Sequence, residues 1–195
     1  MIITFSGTPG SGKSTVAKIL VDTLRADRIY VGGVLRELAR KKGMTLQELL
    51  EFAKKHAEID READEVAATL ARDLEKQEKV VIVEGRVQFH FLPESVKVFL
   101  KVSLDEAARR IWNDLQHSLT KQERNEEEVM SVEELKKKVE LREEEDAQRY
   151  RHLYNVDYRN TSHYDLVVDT THLTPLQAAE MILRFVRERQ NISPH

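Results

Sequence analysis

Residues 7–14 combine glycines, a lysine and a serine at a spacing suited to phosphate binding. They read Gly7-Thr8-Pro9-Gly10-Ser11-Gly12-Lys13-Ser14, which matches the pattern G-x-x-x-x-G-K-[ST]. The glycines let successive backbone N–H groups point into one concavity, and the helix predicted to follow adds its positive end. Lys13 would reach the β- and γ-phosphates of a nucleotide, and Ser14 would offer its hydroxyl to Mg²⁺. The alternative is a glycine-rich turn that binds nothing, although the strand and the helix that the motif requires are both predicted around it.

Two arginines and a glutamate follow the next predicted strands. Arg36 comes shortly after the second strand, and Arg86 follows Glu84 at the end of the third. The carboxyl edge of a parallel sheet holds the ligand crevice, so we expect the two arginines to clamp the phosphate of an acceptor substrate. Glu84, together with Ser14, would belong to the metal site. There its carboxylate would orient a water bound to Mg²⁺, or else an acceptor hydroxyl. The alternatives are a solvated helix face for Arg36 and salt bridges for Arg86 and Glu84.

A charged helix predicted near residue 142 places two more arginines on one face. That face is formed by residues that recur at steps of four and three, namely Leu135, Val139, Arg142, Asp146, Arg149 and Leu153. Arg142 and Arg149 lie about 10 Å apart along the axis, with Asp146 between them, and would close over two phosphate groups. Cations brought to a phosphate loop in this way neutralise charge on a transferring phosphoryl group. The alternative is an ordinary charged surface helix.

Short β-branched runs separated by helix-like segments must position these side chains. The runs lie at 2–5, 28–31, 80–83, 96–102 and 166–168. Their alternation with helices predicts an α/β fold with a parallel sheet, and the third run is central because it is apolar on both faces. All seven glycines lie within the first 85 residues. Glycines at the ends of early strands indicate that the backbone approaches a ligand there.

Composition narrows the function classes. The chain has 195 residues, a length that fits one domain, and a net charge of −3 that gives no basic excess for nucleic acid or an anionic membrane. It contains no cysteine, which excludes thiol chemistry and suits the cytoplasm, and we expect neither a signal peptide nor a membrane span. No glycine after Gly85 is available for the D-x-x-G switch of GTPases. A small-molecule kinase needs only the phosphate loop, an acceptor pocket and mobile arginines.

Taken together, these motifs resemble the nucleoside monophosphate kinases, most closely the cytidylate kinases of the short archaeal type, over nearly the whole chain. The resemblance is carried by 7–15, 32–39 with 43–45, 58–60 with Asp64, 84–86, 142–150 and 164–170. It implies an α/β P-loop NTPase fold with a five-stranded parallel sheet flanked by helices. Its expected parts are a core (1–31, 76–109 and 156–195), a helical NMP-binding region (32–75) and a lid (110–155).

The resemblance also implies roles for individual residues. ATP would be bound by Gly7, Thr8, Pro9, Gly10, Ser11, Gly12, Lys13, Ser14 and Thr15, with Arg110 near the adenine. The acceptor monophosphate would be held by Arg36, Arg86 and Arg142. Asp146 would bind its ribose, and Arg149 would hold the transferring phosphoryl group. Lys13, Arg142 and Arg149 would be the catalytic groups, and Ser14 with Glu84 the Mg²⁺ ligands. Asp60 and Asp64, one helical turn apart, would belong to the acceptor wall, or else be charges near a helix N-terminus.

The expected reaction is in-line transfer of the γ-phosphoryl group of ATP to a nucleoside monophosphate, with CMP or dCMP as acceptor. The alternatives are AMP, a non-nucleotide hydroxyl, or a regulatory protein that binds nucleotide without turnover. We expect a cytoplasmic monomer, with a homodimer as the alternative, and neither nucleic acid nor membrane as partner. The sequence departs from the family pattern at three places. Val31 and Leu35 replace a serine and an aromatic residue that are usual in the family. The stretch 87–91 does not resemble the family's usual sequence, and the insert at about 113–132 is longer than usual.

Overall fold

Five strands form one parallel sheet, as the periodicity predicts. The computed structural model of the protein describes residues 1–53, 56–116 and 131–192. The strands are β1 (Ile2–Gly7), β2 (Asp27–Tyr30), β3 (Val81–Glu84), β4 (Val96–Lys101) and β5 (Leu166–Asp169). Their order is β2-β3-β1-β4-β5, with every neighbouring pair parallel. The second strand ends one residue earlier than predicted, because Val31 already begins a helix and buries its side chain in the core.

Helices cover both faces of the sheet. Within the described ranges they are α1 (Lys13–Leu24), α2 (Val31–Lys41), α3 (Leu46–Ala53), α4 (Ala57–Glu75), α5 (Gln88–Phe91), α6 (Leu104–Gln116), α7 (Val132–Tyr154) and α8 (Pro175–Ile192). A capping box begins α3: the Glu48 N–H donates to the Thr45 hydroxyl at 3.1 Å, and the Thr45 N–H donates to the Glu48 carboxylate at 2.6 Å. Thr174 and Gln177 form the same box before α8. These short-range bonds fix where both helices start.

None of the helices in the described part of the chain is long and apolar enough to cross a membrane.

The sheet is apolar on both faces because each face packs against helices. Ile3 and Phe5 of β1 point to the cluster that includes Leu20 of α1 and Ile182 of α8. Ile2 points the other way, into the cluster that includes Ala67, Ala68 and Ala71 of α4. β3 divides in the same way between the two clusters, which confirms that the third predicted run is a central strand.

Helix α7 packs differently along its two halves. Leu135 and Val139 contact α6 in a cluster with Ile111. Further along, Ala147 and Tyr150 enter a cluster with Phe99 of β4. The predicted stripe therefore faces the rest of the protein, and α7 is not an ordinary surface helix.

Helices α2 and α3 form a small core of their own from Leu35, Ala39, Leu46 and Leu49. This separate core agrees with the expected NMP-binding region at 32–75, although its boundaries, like those of the core and the lid, stay predictions. Most of the predicted insert at 113–132 lies outside the described residues.

Candidate active site

The phosphate loop is pressed against β4 and α6. Gly7 has φ 144° and Gly10 has φ 72°, values that glycine adopts readily and other residues rarely do. A Cβ on Gly7 would lie 2.0 Å from the carbonyl oxygen of Leu100 in β4, and a Cβ on Gly10 would lie 2.8 Å from Cα of Ala107 in α6. Only glycine fits at either position, so the motif shapes the loop that leads from β1 into α1.

Lys13 reaches back across the loop that precedes it. Its ammonium donates to the carbonyl oxygens of Gly7 at 2.9 Å and Thr8 at 2.8 Å, and to the Ser11 hydroxyl at 3.4 Å. Burial lowers the pKa of Lys13 well below its usual value, and the charge of Arg86 lowers it further. The ammonium therefore lies in a site where positive charge is concentrated, which favours binding of an anion.

Ser14 and Glu84 meet at the carboxyl ends of the central strands. The Ser14 hydroxyl donates to Oε2 of Glu84 at 2.9 Å, while Oε1 of Glu84 accepts from Nε of Arg28. Both interpretations of Glu84 are therefore present: it lies beside the phosphate loop and it forms an ion pair. Among the described residues, no cluster of three or more His, Cys, Asp or Glu could hold a metal alone. One carboxylate and one hydroxyl fit a Mg²⁺ ion that takes its other ligands from phosphate and water.

Arg86 connects the phosphate loop to α7. Its Nη1 donates to the Gly7 carbonyl oxygen and its Nε donates to Oδ2 of Asp146 at 3.0 Å. Its guanidinium lies 5.3 Å from the centre of the Tyr158 ring. Its side chain is only 14% exposed and the Asp146 side chain 8%, so this is a buried ion pair rather than a surface salt bridge.

Asp146 is shared by two arginines. Its Oδ1 accepts from Nη2 of Arg149 at 3.0 Å, while Arg86 holds the other oxygen. Burial alone would raise the pKa of Asp146, but the charges of Arg86 and Arg149 outweigh burial and hold the pKa below its usual value. Arg142 contributes to the same lowering, and its charge also lowers the pKa of Lys13. The predicted arginines of α7 are therefore close to the phosphate loop.

Arg36 and Arg110 stand on opposite sides of the site. The Nη1 of Arg36 donates to the Tyr30 hydroxyl at 2.6 Å and to the Gly32 carbonyl oxygen at 3.2 Å. The Nη2 of Arg110 donates to the Thr170 carbonyl oxygen at 2.7 Å. The Thr170 hydroxyl in turn donates to the carbonyl oxygen of Ser11, so Arg110 is linked to the phosphate loop.

Asp60 and Asp64 lie beneath the site rather than on its wall. Asp60 is 2% exposed and pairs with Nη1 of Arg149 at 3.5 Å. Asp64 is 3% exposed and accepts from Nε2 of Gln88 at 2.6 Å and from the Tyr154 hydroxyl at 3.0 Å. Burial raises the pKa of both carboxyls, that of Asp64 to about 7. They are not charges exposed at a helix start, and neither lines the cleft in this conformation, so their place in the acceptor wall stays a prediction.

An open cleft of about 1490 Å³ brings the other predicted groups together. Its wall includes Pro9, Gly10, Ser11, Gly12, Lys13, Ser14, Thr15, Arg36, Glu84, Arg86, Arg110, Arg142, Asp146 and Arg149. Gly7 and Thr8 support that wall through their bonds to Lys13. The phosphate loop follows β1, the middle strand of the sheet, whereas Arg36 follows the edge strand β2 and Arg110 is bonded to Thr170, directly after the edge strand β5. Two anionic groups brought to this cleft would be surrounded by cations.

Four residues that position the site are missing from the predictions. Arg28 pairs with Glu84, Tyr30 holds Arg36, Thr170 links Arg110 to the loop, and the fully buried Gln88 binds Asp64. Arg28 and Tyr30 lie two residues apart on β2, so their side chains share one face of the sheet, and Tyr30 is the register partner of Glu84. Strand periodicity in the sequence could have indicated this. Gln88 lies in the unfamiliar stretch 87–91, where no pattern identified its partner.

Comparison with known proteins finds relatives that cover most of the chain. A family profile described as an AAA domain matches residues 3–131. The cytidylate kinase of Methanobrevibacter smithii is 33% identical over 183 residues, which cover 94% of this chain and 96% of that protein. The cytidylate kinase of Methanothrix thermoacetophila is 37% identical over 170 residues, with 87% of this chain and 88% of that protein covered.

The fold is also found in solved structures. A shikimate kinase from Bacteroides thetaiotaomicron superposes with a TM-score of 0.57 at 16% identity, covering 96% of this chain and 98% of that chain. At this identity the likeness shows the fold alone. The fold supports many activities, so the reaction must be argued from the site.

Proposed function

This chain belongs to the nucleoside monophosphate kinases of the P-loop AAA-domain family, and from that premise we propose that it phosphorylates CMP or dCMP with ATP. The products are ADP and the corresponding diphosphate. The cytidylate kinases that share a third of its sequence support the choice of acceptor. The cleft supports the chemistry independently of those relatives.

One observation carries the chemistry: Arg86 bonds the phosphate loop at Gly7 and α7 at Asp146, so cations from three parts of the chain face one space. Lys13 comes from the loop, Arg86 from the end of β3, and Arg149 from α7. Phosphoryl transfer needs this arrangement, because negative charge is spread over the equatorial oxygens of the group in flight. A protein that merely binds nucleotide has no need for cations on the far side of the loop.

We assign the acceptor phosphate to Arg36, Arg86 and Arg142, and the acceptor ribose to Asp146. An oxygen of that phosphate attacks the γ-phosphorus while the bond to the β–γ bridging oxygen breaks, and ADP leaves with the bond's electron pair. A monophosphate is largely ionised at neutral pH because its second pKa is about 6, so no general base is required. Catalysis therefore rests on position and charge neutralisation, with Lys13 and Arg149 facing the transferring group.

The phosphate loop, Gly7–Thr15, is the proposed ATP site, and we assign Arg110, which lines the same cleft, to the border of the adenine. Ser14 and Glu84 would hold Mg²⁺, which when bound disperses the charge of the β- and γ-phosphates. Arg28 keeps Glu84 turned toward Ser14 by holding its other oxygen. This ion pair fixes the carboxylate at the edge of the sheet.

The proposal includes the organisation of the chain. The core would be 1–31, 76–109 and 156–195, the NMP-binding region 32–75 and the lid 110–155. The separate small core of α2 and α3 supports the second region, and the separate cluster in which the first half of α7 packs against α6 supports the third. We propose a monomer that acts in the cytoplasm, where ATP and CMP are available.

An ADP-release assay with ATP, Mg²⁺ and one acceptor at a time tests the function. CMP, dCMP, UMP, AMP and GMP form the panel, and we expect CMP or dCMP to give the highest kcat/KM. A preference for AMP would keep the chemistry and overturn the acceptor. If no acceptor raises ADP release above the rate with ATP alone, while ATP still binds, the protein is a nucleotide-binding regulator and the kinase proposal fails.

A further inference from the structure

A buried ion pair joins α4, in the proposed NMP-binding region, to α7, in the proposed lid. Oδ1 of Asp60 lies 3.5 Å from Nη1 of Arg149, and the two side chains are 2% and 10% exposed. The other oxygen of Asp60, Oδ2, is buried without a hydrogen-bond partner. Burial of an ionised carboxylate costs free energy unless a cation compensates its charge. Arg149 therefore offsets the cost of burying an ionised Asp60.

Arg149 is held on two sides by carboxylates from different elements. Its Nη2 donates to Asp146 at 3.0 Å and to the Tyr150 hydroxyl at 3.1 Å, both within α7. Asp60 is the contact that comes from outside that helix. The guanidinium also lies 4.8 Å from the centre of the Tyr150 ring. Among the residues that the structure describes, the other bonds of the guanidinium are to its own helix, so removal of Asp60 would leave it tied to α7.

We infer that Asp60 is a positioning residue: it orients the guanidinium of Arg149 toward the transferring phosphoryl group and does not itself contact the acceptor. The inference rests on the proposed function. It departs from the acceptor-wall role that sequence similarity implies, because Asp60 lies beneath the cleft wall that Arg149 forms. It also gives α4 a direct influence on the charge that meets the γ-phosphate.

The uncharged isostere Asp60→Asn tests this inference. Asp146 still holds Arg149 in the variant, so we expect a partial loss, a drop in kcat of about 10-fold, against about 100-fold or more for Arg149→Ala. The Kd for CMP, measured by calorimetry, should change less than about 3-fold. Glu62→Gln is the matched control, because it removes one charge from the exposed face of the same helix and should leave kcat unchanged.

A double-mutant cycle separates positioning from general structural damage. If Asp60 acts only through Arg149, Asp60→Asn should change kcat less than about 2-fold in an Arg149→Ala background. An equal drop in both backgrounds would overturn the inference, as would wild-type kcat in Asp60→Asn. A Kd for CMP weakened more than about 10-fold with kcat retained would mean that Asp60 contacts the acceptor directly.

A spectroscopic measurement makes the result independent of the proposed reaction. We expect the Arg149 guanidinium to give separate, slowly exchanging Nη signals in nitrogen NMR spectra of the wild type, and averaged signals in Asp60→Asn. Unchanged signals would overturn the positioning role even if no acceptor were phosphorylated. Absence of CMP-dependent ADP release with the expected NMR change would instead defeat only the proposed function.

Discussion

Asp64 should make the stability of the protein fall as the pH rises from about 4 to about 7. Burial raises the pKa of this carboxyl from its usual 3.8 to about 7, against hydrogen bonds from Tyr154 and Gln88 that favour the ionised form. The folded state therefore binds the proton more tightly than the unfolded state. Stability is greatest while both states are protonated, declines from about pH 4 to about pH 7, and then stays constant.

The size of the effect follows from the same two values. One pKa unit corresponds to 1.36 kcal/mol, so the carboxyl should cost about 4 kcal/mol of unfolding free energy above pH 7. Asparagine resembles the protonated acid in shape and in being neutral, with one carbonyl acceptor and an NH₂ group in place of the O–H donor. We therefore expect Asp64→Asn to match the wild type near pH 4 and to exceed its stability by about 4 kcal/mol near pH 8.

Urea unfolding of both proteins at half-unit steps between pH 4.5 and 8 measures the difference, in which other titrating groups largely cancel. Glu65→Gln, an exposed change on the same helix, serves as the control and should run parallel to the wild type. A difference that does not vary with pH would refute the reasoning. So would a wild type that gains stability over the variant as the pH rises, because either result means that Asp64 is already ionised in the folded state at low pH.

Three further experiments test the site. Lys13→Met should lower kcat by about 100-fold or more while calorimetry still detects ATP binding through the loop amides; near-normal turnover would contradict the catalytic role. Arg86→Ala should raise the KM for CMP with little effect on that for ATP, whereas Arg149→Ala should lower mainly kcat, and identical kinetic defects would show that the acceptor site is misplaced. Gly7→Ala should unfold the protein or abolish ATP binding, since the new Cβ would meet the Leu100 carbonyl at 2.0 Å; a stable variant with wild-type ATP affinity would contradict the close approach.

Local features of the fold could be predicted from the sequence, and long-range ones could not. β-branched runs and glycine placement identify the five strands to within a few residues, because strand periodicity and loop strain depend on neighbouring residues. The position of β3 between β2 and β1 is different. It depends on which strand edges pair after the crossovers, and nothing in a short window of sequence specifies that choice.

The candidate site divides in the same way. The phosphate loop is contiguous, so its lysine, serine and glycines could be identified by spacing alone. Asp146 was expected to lie on one helix face with Arg149, and it does, but its bond to Arg86 joins residues 60 positions apart. That bond depends on how α7 docks against the sheet. The burial of Asp60 depends on the same docking, which is why helical spacing could place it near the site without identifying Arg149 as its partner.

Shared anions explain how several cations can stand close together in this cleft. Two unit charges 4 Å apart repel by about 4 kcal/mol at an effective dielectric constant of 20, so unscreened arginines would separate. Asp146 prevents this by giving Oδ2 to Arg86 and Oδ1 to Arg149, which uses both of its oxygens. The phosphate of the acceptor carries more charge and has three terminal oxygens, so it can take Arg86 from Asp146 and still bind Arg36 and Arg142. Binding of the acceptor then exchanges the anionic partner of Arg86 and leaves Arg149 on Asp146 to face the transferring group, whereas a nucleoside without a phosphate would leave both arginines on Asp146.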